Sequence, residues 1–379
     1  MQKEKFKDIF NFKKKSKIKA GDGFKLGEGK YPFFTSSNVL TKSLNEYLFE
    51  EESLIFGTGG LASIHHCNEK FAVSTDCFVT QPKDKKQTFA KYVYYYLSGN
   101  IHILENGFKG AGLKHISKDF IENIEIPLPD LQTQQKIANI LDKADELRQY
   151  NQQLIEKYDA LTQSLFLDMF GDSVKNEKGW KIVQVENIAS PEKHSIKAGP
   201  FGSSLKKEYY VEKGYKIYGQ EQVIKDDMTY GNYYIDENKY KELESCIVNE
   251  GDVLVSLVGT YGKISVIPKE FEPGIINPRL MKISPNKDII RPDFLKFLLQ
   301  SSHVEKQLKS HSRGGTMDII NVGIIRKIFI PLPSITIQNQ FAEQIKIIEA
   351  QKQQAKEALA KSELVFQGLL QQAFNGELN

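Results

Sequence analysis

Residues 126–171 and 330–376 are two versions of one module. The first opens Ile126-Pro127-Leu128-Pro129, continues through an amphipathic stretch and closes on Phe170-Gly171. The second opens Ile330-Pro331-Leu332-Pro333 and closes on Phe374-Asn375-Gly376. Both the opening motif and the closing phenylalanine recur at an offset of 204 residues. A repeat held in register across a whole helix reflects duplication and fixes the plan of the chain before anything else is read. That plan is globular half, long helix, globular half, long helix, and it suits a protein that grips something two-sided.

The duplication continues more faintly into the globular halves. Gly57-Thr58-Gly59-Gly60 answers Gly259-Thr260-Tyr261-Gly262 at an offset of 202. Gly110-Ala111-Gly112-Leu113 with Ile116 answers Gly314-Gly315-Thr316-Met317 with Ile320. Tyr31-Pro32-Phe33-Phe34 resembles Tyr215-Lys216-Ile217-Tyr218 at an offset of only 184, so the second half carries about 18 extra residues in between. The halves share a frame and differ in one region, so they should not bind identical things. Short apolar runs bounded by glycine and proline read as strands: Ser53-Leu54-Ile55-Phe56, Phe71-Ala72-Val73, Asp252-Val253-Leu254-Val255 and Ile264-Ser265-Val266-Ile267. Phe89 to Leu97 and Pro292 to Leu308 read as helices. Each half is expected to be α+β with a twisted, mostly antiparallel sheet.

In the first repeat, apolar positions recur at Ile140, Ala144, Leu147, Leu154, Tyr158, Leu161 and Leu165, and Asn151 completes a 4-3 spacing. Pro129 and Asp130 make a helix start and Gly171 a stop, giving about 38 residues and roughly 57 Å. The second helix is expected from about Gln338 to Asn375, with Phe341, Ile345, Ile348, Ala355, Ala358, Val365, Phe366 and Leu369 on its seam. Neither helix can bury its seam alone, so the two should pair, antiparallel being the simplest geometry. Asn151, replaced in the repeat by Ala355, is expected to fix register, as buried polar groups can.

A chain of 379 residues is long enough for two domains with cores, and 40% hydrophobic with 26% charged content is ordinary for a globular protein. No apolar run approaches the roughly 20 residues needed to cross a bilayer. The N-terminus lacks the apolar core of a secretory signal. Cys67, Cys77 and Cys246 form no CxxC pair, which fits a reducing cytoplasm. The formal net charge of +3 is unevenly spread: segments 130–171 and 334–379 carry −3 and −1, leaving +7 on the globular parts. Lys13-Lys14-Lys15-Ser16-Lys17 and Lys206-Lys207 lie there. Basic globules with acidic helices fit a polyanion-binding protein, and equally a solvated lysine-rich surface.

Covalent chemistry finds no foothold. His65-His66-Cys67 has no further ligand pair at useful spacing for a metal. In Gly107-Phe108-Lys109-Gly110-Ala111-Gly112-Leu113-Lys114 the lysine falls one residue late for a phosphate loop, and no Ser or Thr follows it directly. Ile276-Asn277-Pro278-Arg279 lacks the second proline and the aromatic residue of an amino-methyltransferase motif. No glycine-rich AdoMet loop and no nucleophile–base constellation is present, so no enzymatic activity is expected of this chain.

The ordered series of features resembles the specificity subunit of a type I restriction-modification system, over essentially the whole chain. The parts that carry the resemblance are the two IPLP motifs with Gln134-Gln135-Lys136-Ile137 and Gln338-Asn339-Gln340, Trp180-Lys181, and Lys197-Ala198-Gly199-Pro200-Phe201-Gly202-Ser203-Ser204-Leu205. The resemblance implies an α+β chain with two pseudo-symmetric α/β globular DNA-recognition domains separated by a pair of long antiparallel coiled-coil helices. Target-recognition domain 1 would be residues 1–129, spacer helix 1 residues 130–171, target-recognition domain 2 residues 172–333 and spacer helix 2 residues 334–379. It further implies a non-catalytic subunit, working in the cytoplasm, that reads a bipartite target in double-stranded DNA. The helices would act as spacers and bind two methyltransferase subunits; restriction/translocase subunits would join for cleavage. AdoMet and ATP would be held on those partners, with no cofactor or metal in this chain and no membrane. An orphan specificity protein, or a coiled-coil adaptor that binds methyltransferase subunits without a nuclease, is the alternative.

Polar and basic residues in glycine-bounded loops are the candidates for reading DNA. In the first half these are Thr35, Ser36, Ser37, Thr58, His65, Lys109 and Lys114. In the second they are Lys206, Lys207, Gln220, Glu221, Tyr261, Lys263, Arg279, Ser312 and Arg313. Helix pairing is assigned to Ile140, Ala144, Leu147, Asn151, Leu154, Tyr158 and Leu161 on one helix, and to Ile345, Ile348, Ala355, Val365 and Leu369 on the other.

Overall fold

A computed structural model of the chain describes residues 3–172, 175–257, 263–311 and 321–378. The chain forms two compact units: Met1–Ile155 with Gln354–Asn379, and Glu156–Gln353. Each long helix supplies residues to both.

The first unit holds two four-stranded sheets. One is antiparallel throughout, in the order Phe10–Phe12, Cys77–Pro82, Ser53–Gly57, Ser63–Cys67. The other runs Phe24–Lys25, Lys42–Leu44, Tyr31–Phe34, Ala72–Val73, with its last pair parallel. The second unit repeats both orders strand for strand. Its first sheet is Ile196–Ala198, Leu280–Ile283, Val253–Ser256, Ile264–Val266. Its second is Tyr210–Val211, Tyr234–Ile235, Tyr215–Tyr218, Gly274–Ile276, again closing on a parallel pair. Each half therefore has two small sheets where one was expected. The second unit's extra residues sit in two connections. Fifteen residues, 219–233, stand where the first unit has seven, 35–41, and they include the helix Gln220–Lys225. The helix Glu237–Glu242 lies in the next connection. The stretch from Pro292 to Leu308 is two helices, Pro292–Gln300 and Ser302–His311, because Ser301 is extended (φ −69°, ψ 152°) and its hydroxyl donates to Leu298 O at 2.6 Å.

The IPLP motifs join sheet to helix. Ile126 and Ile330 are fully buried. Each motif forms a two-stranded antiparallel ribbon with the start of its own globular half, Lys3–Lys5 or Lys181–Gln184. The glutamine that follows is a buried pin. Gln134 Oε1 accepts from Phe89 N at 2.8 Å, and its Nε2 donates to Gln87 O at 2.9 Å and Pro129 O at 2.8 Å. Gln338 accepts from Arg291 N at 2.8 Å and donates to Ile289 O at 3.1 Å and Pro333 O at 2.9 Å. One amide thus satisfies three backbone groups in each unit, which explains why glutamine recurs there.

The long helices run Leu131–Phe170 and Ile335–Asn375, the second starting three residues before its expected Gln338, with the Ser334 carbonyl accepting from Ile337 N at 3.1 Å and Gln338 N at 3.2 Å. Asp130 caps the first: its carboxylate accepts from Thr133 N at 3.0 Å and from the Thr133 hydroxyl at 2.7 Å. Those bonds hold the Asp130 carboxyl below its ordinary pKa. Gly171 (φ +77°) and Gly376 (φ +83°) end the helices in the left-handed region.

Within each unit the two helices run antiparallel. In the first, the Arg148 guanidinium lies 4.5 Å over the Phe366 ring and Asn151 Nδ2 donates to Ser362 Oγ at 3.4 Å. In the second, Lys352 pairs with Asp159, and Phe341 meets Phe166 at 5.7 Å and Phe170 at 5.1 Å between ring centroids. One expected seam row, Ala144, Asn151, Tyr158 and Leu165, is buried or half-buried. The other shifts by one residue at two positions, where Leu147 (52% exposed) and Leu161 (49%) lie outside, while Ile140 and Leu154 are half-buried. The row is Leu141, Arg148, Ile155, Thr162 and Met169. Adding the repeat offset of 204 to both rows gives Ile345, Lys352, Leu359, Phe366 and Ala373, and Ile348, Ala355, Ser362 and Leu369, all buried or half-buried. Of the two adjacent residues expected on the seam, Phe366 is buried and Val365 is 55% exposed. Arg148 and Thr162 are polar, so their apolar neighbours Leu147 and Leu161 mimicked the row.

Candidate nucleic-acid interface

In the first unit, three loops converge at one end of the antiparallel sheet. The Ser36 hydroxyl donates to Asp76 O at 2.9 Å, as does the Thr58 hydroxyl at 3.0 Å. His65 Nε2 lies 2.8 Å from Ser37 O. The loop 109–115 closes on itself through Lys109 and His115 at 2.9 and 3.0 Å, and is tied to the hairpin turn by Gly60 N donating to Lys114 O at 3.2 Å. The structure therefore brings Thr35, Ser36, Ser37, Thr58, His65, Lys109 and Lys114 together. Their roles divide. Thr58 is buried and its hydroxyl is spent on Asp76, so it holds the loop and does not face solvent. Burial lowers the pKa of His65, keeping the imidazole neutral against Ser37 O. Lys109 and Lys114 are exposed, without an ion pair among the described residues. The lysine run 13–17 is anchored to the same end, where Thr75 N donates to Ile18 O at 2.8 Å. Sequence reasoning missed the exposed Leu61 (78%) and Leu113 (69%) on this surface. It also missed Asp76.

The second unit presents a cleft of about 430 Å³ in the corresponding place. Lys207, Gln220, Glu221 and Arg279 line it, together with Tyr210, Tyr233 and Asn277. Gln220 Nε2 donates to Ser256 Oγ at 2.7 Å. Lys206 is exposed and pairs with Glu208 at 3.5 Å, and Lys263 is exposed on the hairpin. Tyr261, Ser312 and Arg313 lie outside the described residues. The Lys197-to-Leu205 motif has a steric reason. A Cβ on Gly199 would fall 1.9 Å from Asn277 O, and one on Gly219 would fall 2.8 Å from Asn277 Nδ2. Two glycines thus let the backbone close around Asn277.

The two sites correspond bond for bond at their base. Ser74 N donates to Phe34 O at 2.9 Å, and Asn277 N to Tyr218 O at 2.8 Å. Thr58 N donates to Asp76 O at 2.9 Å, and Leu257 N to Arg279 O at 2.9 Å. Asp76 and Arg279 therefore occupy one structural position.

His65 and His66 alternate along a strand and have separate partners, Ser37 O and Glu52 Oε1 (2.8 Å). Among the described residues, no group of three or more His, Cys, Asp or Glu is placed to hold a metal ion. The three cysteines are free and buried, and burial pushes the Cys77 thiol up to about 11. Among the described residues, no helix is long and apolar enough to cross a membrane.

The sequence profile of the type I restriction modification DNA specificity domain matches residues 1–157 and 177–361. The chain belongs to this family. The MjaVIII type I restriction enzyme specificity subunit of Methanocaldococcus jannaschii is 25% identical, over 90% of this chain and 85% of that protein. The EcoBI specificity subunit of Escherichia coli is 25% identical, over 88% of this chain and 74% of that protein. Among solved structures, the S subunit of a type I restriction-modification system from M. genitalium has a TM-score of 0.63 at 17% identity, covering 98% of this chain and 95% of that one. A chain from a structure on complex assembly and conformational transition of the type I system scores 0.53 at 16% identity, covering 99% and 98%. At these identities the structural likeness speaks for the fold. The specificity family supplies the DNA context for the two loop surfaces.

Proposed function

We propose that this chain is a non-catalytic subunit that reads a bipartite DNA target, one half-site per globular part, 1–129 and 172–333. The observation that carries the reading is the pairing of an identical strand order with unlike loops: the same frame presents two different surfaces at the same place. Exposed lysines and Arg279 supply phosphate and base contacts, phosphate contacts setting position and base-edge contacts setting sequence. Segments 130–171 and 334–379 serve as spacers and as docking surfaces for two methyltransferase subunits. The exposed Leu147, Tyr150, Leu161, Leu167, Ile347, Leu364 and Val365 on these helices are suited to that docking. AdoMet sits on those partners and adenine is the methylated base; ATP sits on restriction/translocase subunits where these join. The complex works in the cytoplasm.

The test is reconstitution of the full chain with its methyltransferase partner, AdoMet and genomic DNA, read by methylation-aware sequencing. A split motif with a methylated adenine in each part is expected. A contiguous motif, or methylation indifferent to sequence, would overturn the reading.

A further inference from the structure

We infer that Asp76 and Arg279 are equivalent base-reading positions of opposite chemistry, an acceptor in one half and a donor fork in the other. The inference rests on the DNA-reading function proposed above and adds the chemistry each half-site must present. Both residues lie at the start of the last strand of their antiparallel sheet, Cys77–Pro82 or Leu280–Ile283. Both hold that place through a backbone carbonyl that accepts at 2.9 Å from the end of the central strand. Their backbones are therefore fixed from two sides while their side chains are exposed. Among the described residues, neither the Asp76 carboxylate nor the Arg279 guanidinium is committed to an ion pair.

The carboxylate is the more informative of the two. Asp76 stands where Ser36 and Thr58 converge, on a surface rich in exposed lysine. A negative charge there opposes phosphate, so it weakens non-specific attraction. It becomes favourable when it accepts from an exocyclic amino group, which cytosine N4 and adenine N6 present in the major groove. Arg279 faces the opposite requirement. Its fork matches the O6 and N7 acceptors of guanine. In the cleft it stands beside Gln220, whose amide is held by Ser256. The half-site read by residues 1–129 should thus contain a discriminated cytosine or adenine, and the half-site read by residues 172–333 a discriminated guanine.

The experiment uses the complete methyltransferase complex, with Asp76→Ala and Arg279→Gln tested singly. Binding is measured to duplexes carrying every base pair at each motif position, across a salt series. Asp76→Ala, which removes the acceptor, should lose about tenfold to a hundredfold discrimination at one position of one half-site. It should also bind non-target DNA no more weakly than the parent complex. Arg279→Gln should lose a similar factor at one guanine of the other half-site, with the salt slope unchanged. Uniform weakening of all duplexes with a flatter salt slope would make Arg279 a phosphate contact and overturn its assignment. An unaltered motif in either variant would overturn that residue's role. If the parent complex recognises no split motif, the underlying function fails instead. Both side chains are exposed, and equal melting temperatures of variants and parent confirm that folding is not the cause.

Discussion

Set side by side, the two units agree in strand order and at their helix junctions, and diverge in the loops above the sheets. Gln134 and Gln338 make the same three bonds to the same kinds of backbone group. The strand orders are identical, and two backbone bonds at the base of each candidate site correspond. Above that base, Thr35-Ser36-Ser37 corresponds to Gly219-Gln220-Glu221, Asp76 to Arg279, and a connection of seven residues to one of fifteen. The difference teaches that after duplication the frame and the reading surface came under separate constraints. Buried polar pins are intolerant of change, because each loss orphans a desolvated group. Exposed loop residues are free to change with the DNA they meet.

The comparison can be broken at the pins. Gln134→Leu and Gln338→Leu keep volume but leave three backbone groups without partners. Each should cost about 3–5 kcal/mol, at 1–3 kcal/mol per unsatisfied group with partial relaxation. Denaturant melting of the full chain measures this. Clearly unequal costs would mean that the two frames are not equivalent.

A smaller effect should be confined to one side. Gly199→Ala forces a methyl into Asn277 O and should destabilise the second unit by about 1–3 kcal/mol, the usual range for overpacking. Recognition of only one half-site should weaken. Equal damage to both half-sites would show that the reading surfaces are coupled.

Charge reversal sharpens the comparison further. Lys206→Glu with Lys207→Glu in one unit, and Lys109→Glu with Lys114→Glu in the other, should each weaken binding to target and non-target DNA alike. The salt dependence should flatten by about one log unit per lost phosphate contact. Loss of discrimination at a constant salt slope would instead make those lysines base readers.

The smallest effect is a pH asymmetry. Burial holds the pKa of folded His65 below its ordinary 6.5. As pH falls through that value the unfolded chain takes up a proton that folded His65 refuses, so the first unit loses stability toward acid. His65→Gln should remove that part of the slope in melting experiments between about pH 7 and 5. A slope identical in the variant would rule His65 out as its source.

The helices, the twin IPLP junctions and the α+β halves were legible because they rest on repetition and periodicity, which a linear string displays directly. One seam row was not. Arg148 and Thr162 occupy half-buried and buried heptad positions that apolar pattern-reading skips, and the 204-residue equivalence to Phe366 marks only Thr162. The division of each half into two small sheets was hidden because strands of two to six residues carry little periodicity. The first half's candidate loop residues lie at one end of its sheet because glycines mark the turns that carry them there. Which of them face solvent was not legible: Thr58 looks like a reader in sequence and is a buried anchor. Asp76 was passed over because no glycine bounds its loop.

The central claim, that one frame carries two independent readers, is tested most directly by exchange. Residues 1–125 are replaced with the equivalent segment of a relative of known, different specificity, and the assembled complex is read by methylation-aware sequencing. The account predicts a motif in which one half is that of the relative and the other half is unchanged. A motif altered in both halves, in a complex that assembles normally, would contradict it.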